Sequence, residues 1–510
     1  MKKIVLSIFA CCLALVATAQ VARPKLVVGL VVDQMRWDYI YQYFSKYGDG
    51  GMKRLMAEGF SCDNQMLNYV PTITGVGHAS IYTGAVPAAN GISSNDFYLD
   101  GKRVYCTDDS SVHGVGTDSK AGQMSPHLML GTTIGDMLRM ASGWKSKVIG
   151  VALKDRASIL PAGHSANAAY WYDPSTAGFI TSSYYMDTLP SWVKKFNKQA
   201  GMKKGYDPKN HADGVGLTFK MAEAAMKNEN LGKGDATDML CVSISSTDVV
   251  SHSVGTWLTH DKGNEEVFLA LDRGMKEFFD ALDAQVGKGN YLLFLTADHG
   301  GSHNPNTLAE HKIPGGGVDY GGVMRTLNEQ LKKEFGADIK YVKDIIDASI
   351  YLDHKAIADA KLCLCKVTDT AVRLLQQDDR FQFVTAYEKA ATAAIPQMIR
   401  ERIINGYYQG RSGDIIAITK INWFNGGIWK GFIGSSHGKW TPSDAHIPLV
   451  FMGWHITPGH TTRPTHMDDT APTVCALLHI QMPDACTGNA ITEVTDRQQK
   501  SLLNFAFVSR

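Results

Sequence analysis

Asp248-Val249-Val250-Ser251-His252 sets a carboxylate and an imidazole four residues apart. On a helix both side chains leave one face and can share a metal ion. Thr296-Ala297-Asp298-His299-Gly300-Gly301 places a second Asp and His side by side, beside glycines that allow close backbone approach. Asp33 ends an apolar run, and His437 lies in Ser435-Ser436-His437-Gly438-Lys439. Taken singly, each has an ordinary reading: an exposed helix face, a solvated turn, a turn carboxylate, a structural histidine. Together they are three carboxylates and three imidazoles without a thiolate, a donor set that suits zinc and would also accept manganese or iron. Six such donors are enough for two ions. A pair of ions about 4 Å apart can clamp the attacking and leaving oxygens of an in-line phosphoryl displacement.

Such a centre needs an oxygen nucleophile. Pro71-Thr72-Ile73-Thr74-Gly75-Val76-Gly77-His78-Ala79-Ser80 reads as a loop entering a helix. A hydroxyl at a helix start gains from the positive end of the helix dipole, and a nearby metal would lower its pKa without a histidine base. Thr72 and Thr74 both fit, although a threonine in that place is more commonly an N-cap.

These residues must be held by rigid elements. Apolar runs at 25–32, 147–153, 239–244, 291–295 and 447–451 show no alternation, which implies strands covered on both faces. Helical patterns lie between them, at 131–140 and 267–282. The alternation predicts an α/β fold with a central, mostly parallel sheet flanked by helices on both faces. In such sheets ligands bind at the carboxyl ends of the strands. Four of the five runs lead into Asp33, Lys154, Asp248 or Asp298 there. The expected organisation is a core of residues 20–300 and 431–510, with a small insertion at about 96–126 and a larger cap region at 301–430.

The N-terminus reads as an export leader over residues 1–19: Lys2 and Lys3, an apolar stretch too short to span a bilayer comfortably, then Ala17-Thr18-Ala19. A periplasmic or secreted protein with no membrane span in the mature chain is expected. A net charge of +1 argues against nucleic acid as a partner, so affinity for phosphate must be local. Seven cysteines follow the leader, an odd number that leaves at least one thiol unpaired within the chain. Cys363-Leu364-Cys365 reads as a piece of strand rather than a zinc knuckle.

Thr74-Gly75-Val76-Gly77-His78, with Gly84-Ala85-Val86-Pro87 and Gly91-Ile92-Ser93-Ser94-Asn95-Asp96, resembles the alkaline phosphatase superfamily. So do Asp248-x-x-x-His252, Asp298-His299-Gly300 and His437-Gly438, and the likeness is strongest to bacterial phosphate-irrepressible alkaline phosphatases. The resemblance implies two zinc ions, one on Asp248, His252 and His437, the other on Asp33, Asp298 and His299 beside Thr74. It selects Thr74 over Thr72 as nucleophile. It also implies that Asn95, Lys154 and Arg156 hold the phosphate oxygens. Arg156 can offer a bidentate fork, Lys154 a point charge and Asn95 a neutral donor. Relatives that cleave diesters lack the Lys-x-Arg pair, so the expected activity is hydrolysis of small phosphate monoesters through a phosphothreonine intermediate. The alternatives are a phosphodiesterase or nucleotide pyrophosphatase on the same two-zinc scaffold, and a non-catalytic periplasmic protein that binds zinc or phosphate.

Overall fold

The computed structural model describes residues 22–259, 261–426, 428–429 and 431–496. The leader expected at residues 1–19 lies outside them. Ten strands form the main sheet: β1 (Leu26–Val32), β2 (Gly59–Cys62), β3 (Gly114–Val115), β4 (Val148–Ala152), β5 (Ala168–Asp173), β6 (Gly178–Ser182), β7 (Asp238–Ile244), β8 (Tyr291–Thr296), β9 (Leu449–Gly453) and β10 (Gly459–Thr461). Their spatial order is β10-β2-β9-β8-β1-β7-β4-β5-β6-β3. The centre is parallel: β1 pairs with β7 and β8, β7 with β4, and β4 with β5.

Every residue of β1, β4, β7 and β8 is buried. Successive side chains on a strand point to opposite faces, so burial of all of them means that both faces are covered. The run at 447–451 departs from the parallel pattern, because β9 pairs antiparallel with β8, Thr296 opposite Leu449. An antiparallel strand on a parallel sheet is common. Its consequence is local: the start of β9 meets the carboxyl end of β8, so the segment leading into β9 arrives at the ligand edge.

A second core lies apart from the first. Strands Val342–Ile346, Ser349–Leu352, Phe381–Ala386 and Ile415–Thr419 form an antiparallel sheet of their own. Helices Tyr320–Phe335 and Leu364–Gln376 bury Leu327, Leu331, Val367 and Leu375 in its apolar cluster. Between Asn95 and β3 the chain makes a hairpin of strands Asp96–Leu99 and Lys102–Tyr105.

The strand expected at Cys363-Leu364-Cys365 is not formed. Cys363 and Cys365 are disulfide-bonded, and Leu364 opens the helix Leu364–Gln376 with Cys363 at its N-cap. Two residues apart on a strand, Cα atoms stand about 6.5–7 Å apart; here the turn into a helix brings them to 5.4 Å, within disulfide reach. Cys62, Cys106, Cys241, Cys475 and Cys486 are free thiols.

Candidate metal centre and phosphate site

Helices α1 (Thr74–Thr83), α2 (Asp155–Ala162) and α3 (Ser246–Val254) complete the frame around the ligand edge. Thr74 is the first helical residue of α1, after an extended Ile73, and every residue of that helix is buried. Gly77 explains how so buried a helix reaches the centre. A Cβ there would lie 2.3 Å from the carbonyl oxygen of Asp298, so only glycine permits the approach. Asp248 and His252 sit one turn apart on α3, as their spacing predicts.

The strand ends bring the expected residues together. Asp33, Asp298 and His299 offer ligand atoms all within 4.8 Å of one another, and so do Asp248, His299 and His437. The first group coincides with one of the expected sets. The second joins Asp248 and His437 of the other expected set to His299, whose ring stacks on that of His437 with centroids 3.7 Å apart. His252 nevertheless keeps its Nε2 3.1 Å from Asp248 Oδ1.

Each imidazole is oriented by the backbone. Nδ1 of His252 bonds the carbonyl of Ser435 (2.8 Å), that of His299 the carbonyl of Gly300 (2.8 Å), and that of His437 the carbonyl of Thr72 (2.9 Å). A ring that donates through Nδ1 presents the Nε2 lone pair on its other side. The carboxylates are steered likewise. Asp298 Oδ1 accepts from the backbone N–H of Gln34 (3.1 Å) and His299 (2.9 Å), which leaves Oδ2 facing inward. Asp33 Oδ1, Asp248 Oδ1 and Asp298 Oδ2 are buried without a hydrogen-bond partner. Inward-facing carboxylate oxygens beside imidazole lone pairs are acceptors facing acceptors, an arrangement that calls for cations. The donors present therefore fit metal ions of the zinc type.

The electrostatics agree. Burial, reinforced by Asp298, pushes the Asp33 carboxyl well above the usual range. Burial would raise Asp298 and Asp248 too, but neighbouring imidazoles and Lys154 prevail. His299, His78 and Lys154 hold Asp298 below its ordinary value, and Lys154 and His252 hold Asp248 well below. Burial and the adjacent His299 push His437 well below the ordinary imidazole range, which keeps it neutral.

Lys154 is not part of an exposed salt-bridge cluster. It is 6% exposed, and its Nζ lies 2.5 Å from Asp33 Oδ2 and 2.6 Å from Asp248 Oδ2, bridging the two ligand groups. Thr74 Oγ1 lies 3.3 Å from His299 Nε2. Thr72 is otherwise engaged: its hydroxyl donates to the carbonyl of Lys439 (2.9 Å) and accepts from the N–H of Gly438 (3.1 Å), anchoring the His437 loop. Asn95 Oδ1 accepts from the N–H of Gly75 (2.8 Å), which fixes the amide with its donor end free of that bond. Arg156 lies alongside, its Cδ 3.7 Å from where a Cβ on Gly75 would stand.

Two neighbours escape a reading of the sequence. His78 Nδ1 bonds the Thr74 carbonyl (2.9 Å) and its Nε2 meets Ser243 Oγ at 2.8 Å, which sets the ring beside Asp298, 3.3 Å from Oδ2. The Gly-x-Gly-His motif contained it, but only the helical turn from Thr74 shows where the ring lands. The second is Tyr105, at the end of the small hairpin beside Arg156. Nothing in its sequence context marks it.

The sequence model of the type I phosphodiesterase/nucleotide pyrophosphatase family matches residues 27–440. The chain belongs to that family. The alkaline phosphatase PafA of Elizabethkingia meningoseptica is 42% identical, over 94% of this chain and 96% of its own. A crystal structure of an alkaline phosphatase PafA superposes with a TM-score of 0.89 at 41% identity, covering 93% of this chain and all of the other. A Myroides odoratus protein named calcium-transporting ATPase is also 42% identical, over 96% of this chain and 98% of its own. Among the described residues, no helix is long and apolar enough to cross a membrane. Both the superfamily expected from the motifs and the mostly parallel sheet expected from the apolar runs are as found.

Proposed function

We propose that this protein is an exported alkaline phosphatase that hydrolyses small phosphate monoesters with Thr74 as nucleophile and two zinc ions as cofactors. The observation that carries the reading is the meeting of three things at one strand edge. These are a buried threonine at a helix start, two groups of inward-facing Asp and His donors, and the cationic pair Lys154 and Arg156. Asp248, His252 and His437 would hold one ion, and Asp33, Asp298 and His299 the other. When bound, the ions supply Lewis-acid stabilisation of the attacking and leaving oxygens.

The chain's own residues do the rest. Asn95 and Arg156 bind the non-bridging oxygens of the monoester dianion, which carry charge that needs donors. Lys154 adds a point charge between the two ligand groups. Thr74 sits at the positive end of α1, which favours its alkoxide, and attacks phosphorus in line. A phosphothreonine forms as the bond from phosphorus to the ester oxygen breaks and the alcohol leaves with a proton from water. A second water then attacks phosphorus, breaking the bond to Thr74 Oγ and releasing phosphate. The leader at residues 1–19 supports export to the periplasm or beyond.

The name of the matched family keeps a phosphodiesterase in view, and one comparison separates the two. An aryl phosphate and its methyl diester differ by one charged oxygen. Two charge-assisted bonds from Arg156 are worth about 3 kcal/mol or more together, so Arg156→Ala lowers monoester kcat/KM at least about a hundredfold. Diester kcat/KM falls by less than about tenfold. Equal losses on both substrates would falsify the monoester assignment.

A further inference from the structure

The hairpin of strands Asp96–Leu99 and Lys102–Tyr105 has no partner in the main sheet. It runs instead between the second core and the phosphate site. At its far side Lys343 Nζ bonds the carbonyl of Gly101 (2.7 Å), and Asp344 Oδ2 accepts from Arg103 Nη1 (3.2 Å). At its near end the Tyr105 hydroxyl makes two contacts of 2.7 Å: it accepts from Arg156 Nη1 and donates to Asp155 Oδ1. Asp155 Oδ1 also accepts from the backbone N–H of Arg156 at 2.6 Å. The Tyr105 ring lies beneath the guanidinium, with centroid and carbon 5.9 Å apart.

These contacts decide which edge of the guanidinium is offered. A guanidinium presents two parallel N–H bonds either from Nη1 and Nη2 or from Nε and Nη2. Nη1 spends one of its two N–H bonds on Tyr105, so the Nε–Nη2 fork is the less encumbered of the two. Arg156 Nε is buried and bonds nothing. A buried donor left unpaired costs free energy unless a ligand meets it. The stem of Arg156 packs beside Gly75, next to the nucleophile's own position, so the free fork belongs to the phosphate site. Burial raises the Tyr105 phenol well above its ordinary range, with Asp155 adding to the effect against Arg156, so the bridging hydroxyl stays protonated.

We propose that Tyr105 is a positioning residue: by tying Arg156 Nη1 to Asp155, it aims the Nε–Nη2 fork at the phosphate and so favours monoesters over diesters. The inference rests on the phosphate-binding role proposed for Arg156. It also gives the hairpin a task, as a strut linking the second core to that arginine.

Tyr105→Phe removes one oxygen and keeps the ring. Its expected effect is about a tenfold loss of monoester kcat/KM, from a hydrogen bond to a charged group, with methyl diester hydrolysis within twofold of the parent. In an Arg156→Ala background the same change has no further effect, because the two act as one unit. A purely structural role would lower both substrates and would do so in either background, and that result overturns the proposal. Should Tyr105→Phe fail to fold, Asp155→Asn weakens the acceptor of the same hydroxyl and gives the same monoester-selective loss. Two failures remain distinguishable. If Arg156→Ala spares monoesters, the phosphate-binding reading itself falls. If Arg156→Ala is impaired while Tyr105→Phe matches the parent, only the positioning role falls.

Discussion

Replacing Lys154 by methionine separates two sources of positive charge in the centre. The ammonium lies 2.5 Å and 2.6 Å from carboxylate oxygens of Asp33 and Asp248, which are otherwise buried. At an effective dielectric of about 20, each contact is worth roughly 6 kcal/mol before desolvation, which costs several kcal/mol per ion. Removing one partner of such a buried set leaves uncompensated charge and costs about 3–5 kcal/mol. That cost applies to protein stripped of metal with a chelator. When zinc is restored, the ions neutralise the same carboxylates, so the penalty falls below that of the stripped protein, towards the ~1.5–3 kcal/mol of a hydrogen bond involving a charged group. Urea unfolding of wild type and Lys154→Met, each with chelator and with excess zinc, measures both differences. A penalty that is the same with and without metal would refute the reasoning, since Lys154 and the ions would then not share the Asp33 and Asp248 charges.

Gly77→Ala forces a methyl group to within 2.3 Å of the Asp298 carbonyl and displaces that ligand. Metal content should fall below the wild-type value and turnover by at least about a hundredfold, with helical circular dichroism unchanged. Full metal occupancy with full activity would show that α1 does not set the ligand position. Lys439 gives a pH prediction. Burial pushes its amine down to about 8 from an ordinary 10.5, against the pull of Asp444. Between those values the unfolded chain binds more protons than the folded one, so stability rises with pH by up to about 1.4 kcal/mol per unit. Lys439→Met should remove this rise between about pH 8 and 10.5; a difference from wild type that is flat with pH would contradict it.

Much of the site was legible because its residues follow continuous apolar runs. Asp33, Lys154, Asp248 and Asp298 lie at or after the ends of β1, β4, β7 and β8 for that reason. The Asp248 and His252 pair was legible because its spacing matches a helical turn. Strand direction was not. Residues 447–451 read as one more core strand, and only the register with β8 shows that β9 runs the other way. That reversal is what carries His437 to the centre. That His299 also comes within reach of Asp248 and His437 depends on ring stacking across loops, which no spacing encodes. Tyr105 was silent for a similar reason, since an aromatic closing a hairpin strand looks like ordinary strand text. Cys363 and Cys365 misled because a two-residue spacing fits a strand as readily as the onset of a helix.

The most direct test of the account is to trap phosphate on the enzyme. Zinc-loaded protein is mixed with an aryl phosphate, quenched in acid within the first turnover and mapped by mass spectrometry, alongside Thr74→Ala at equal metal content. The account predicts phosphate on the peptide bearing Thr74, and a variant that binds zinc normally but neither carries phosphate nor turns over. Phosphate on another residue, or turnover retained by Thr74→Ala, would contradict it.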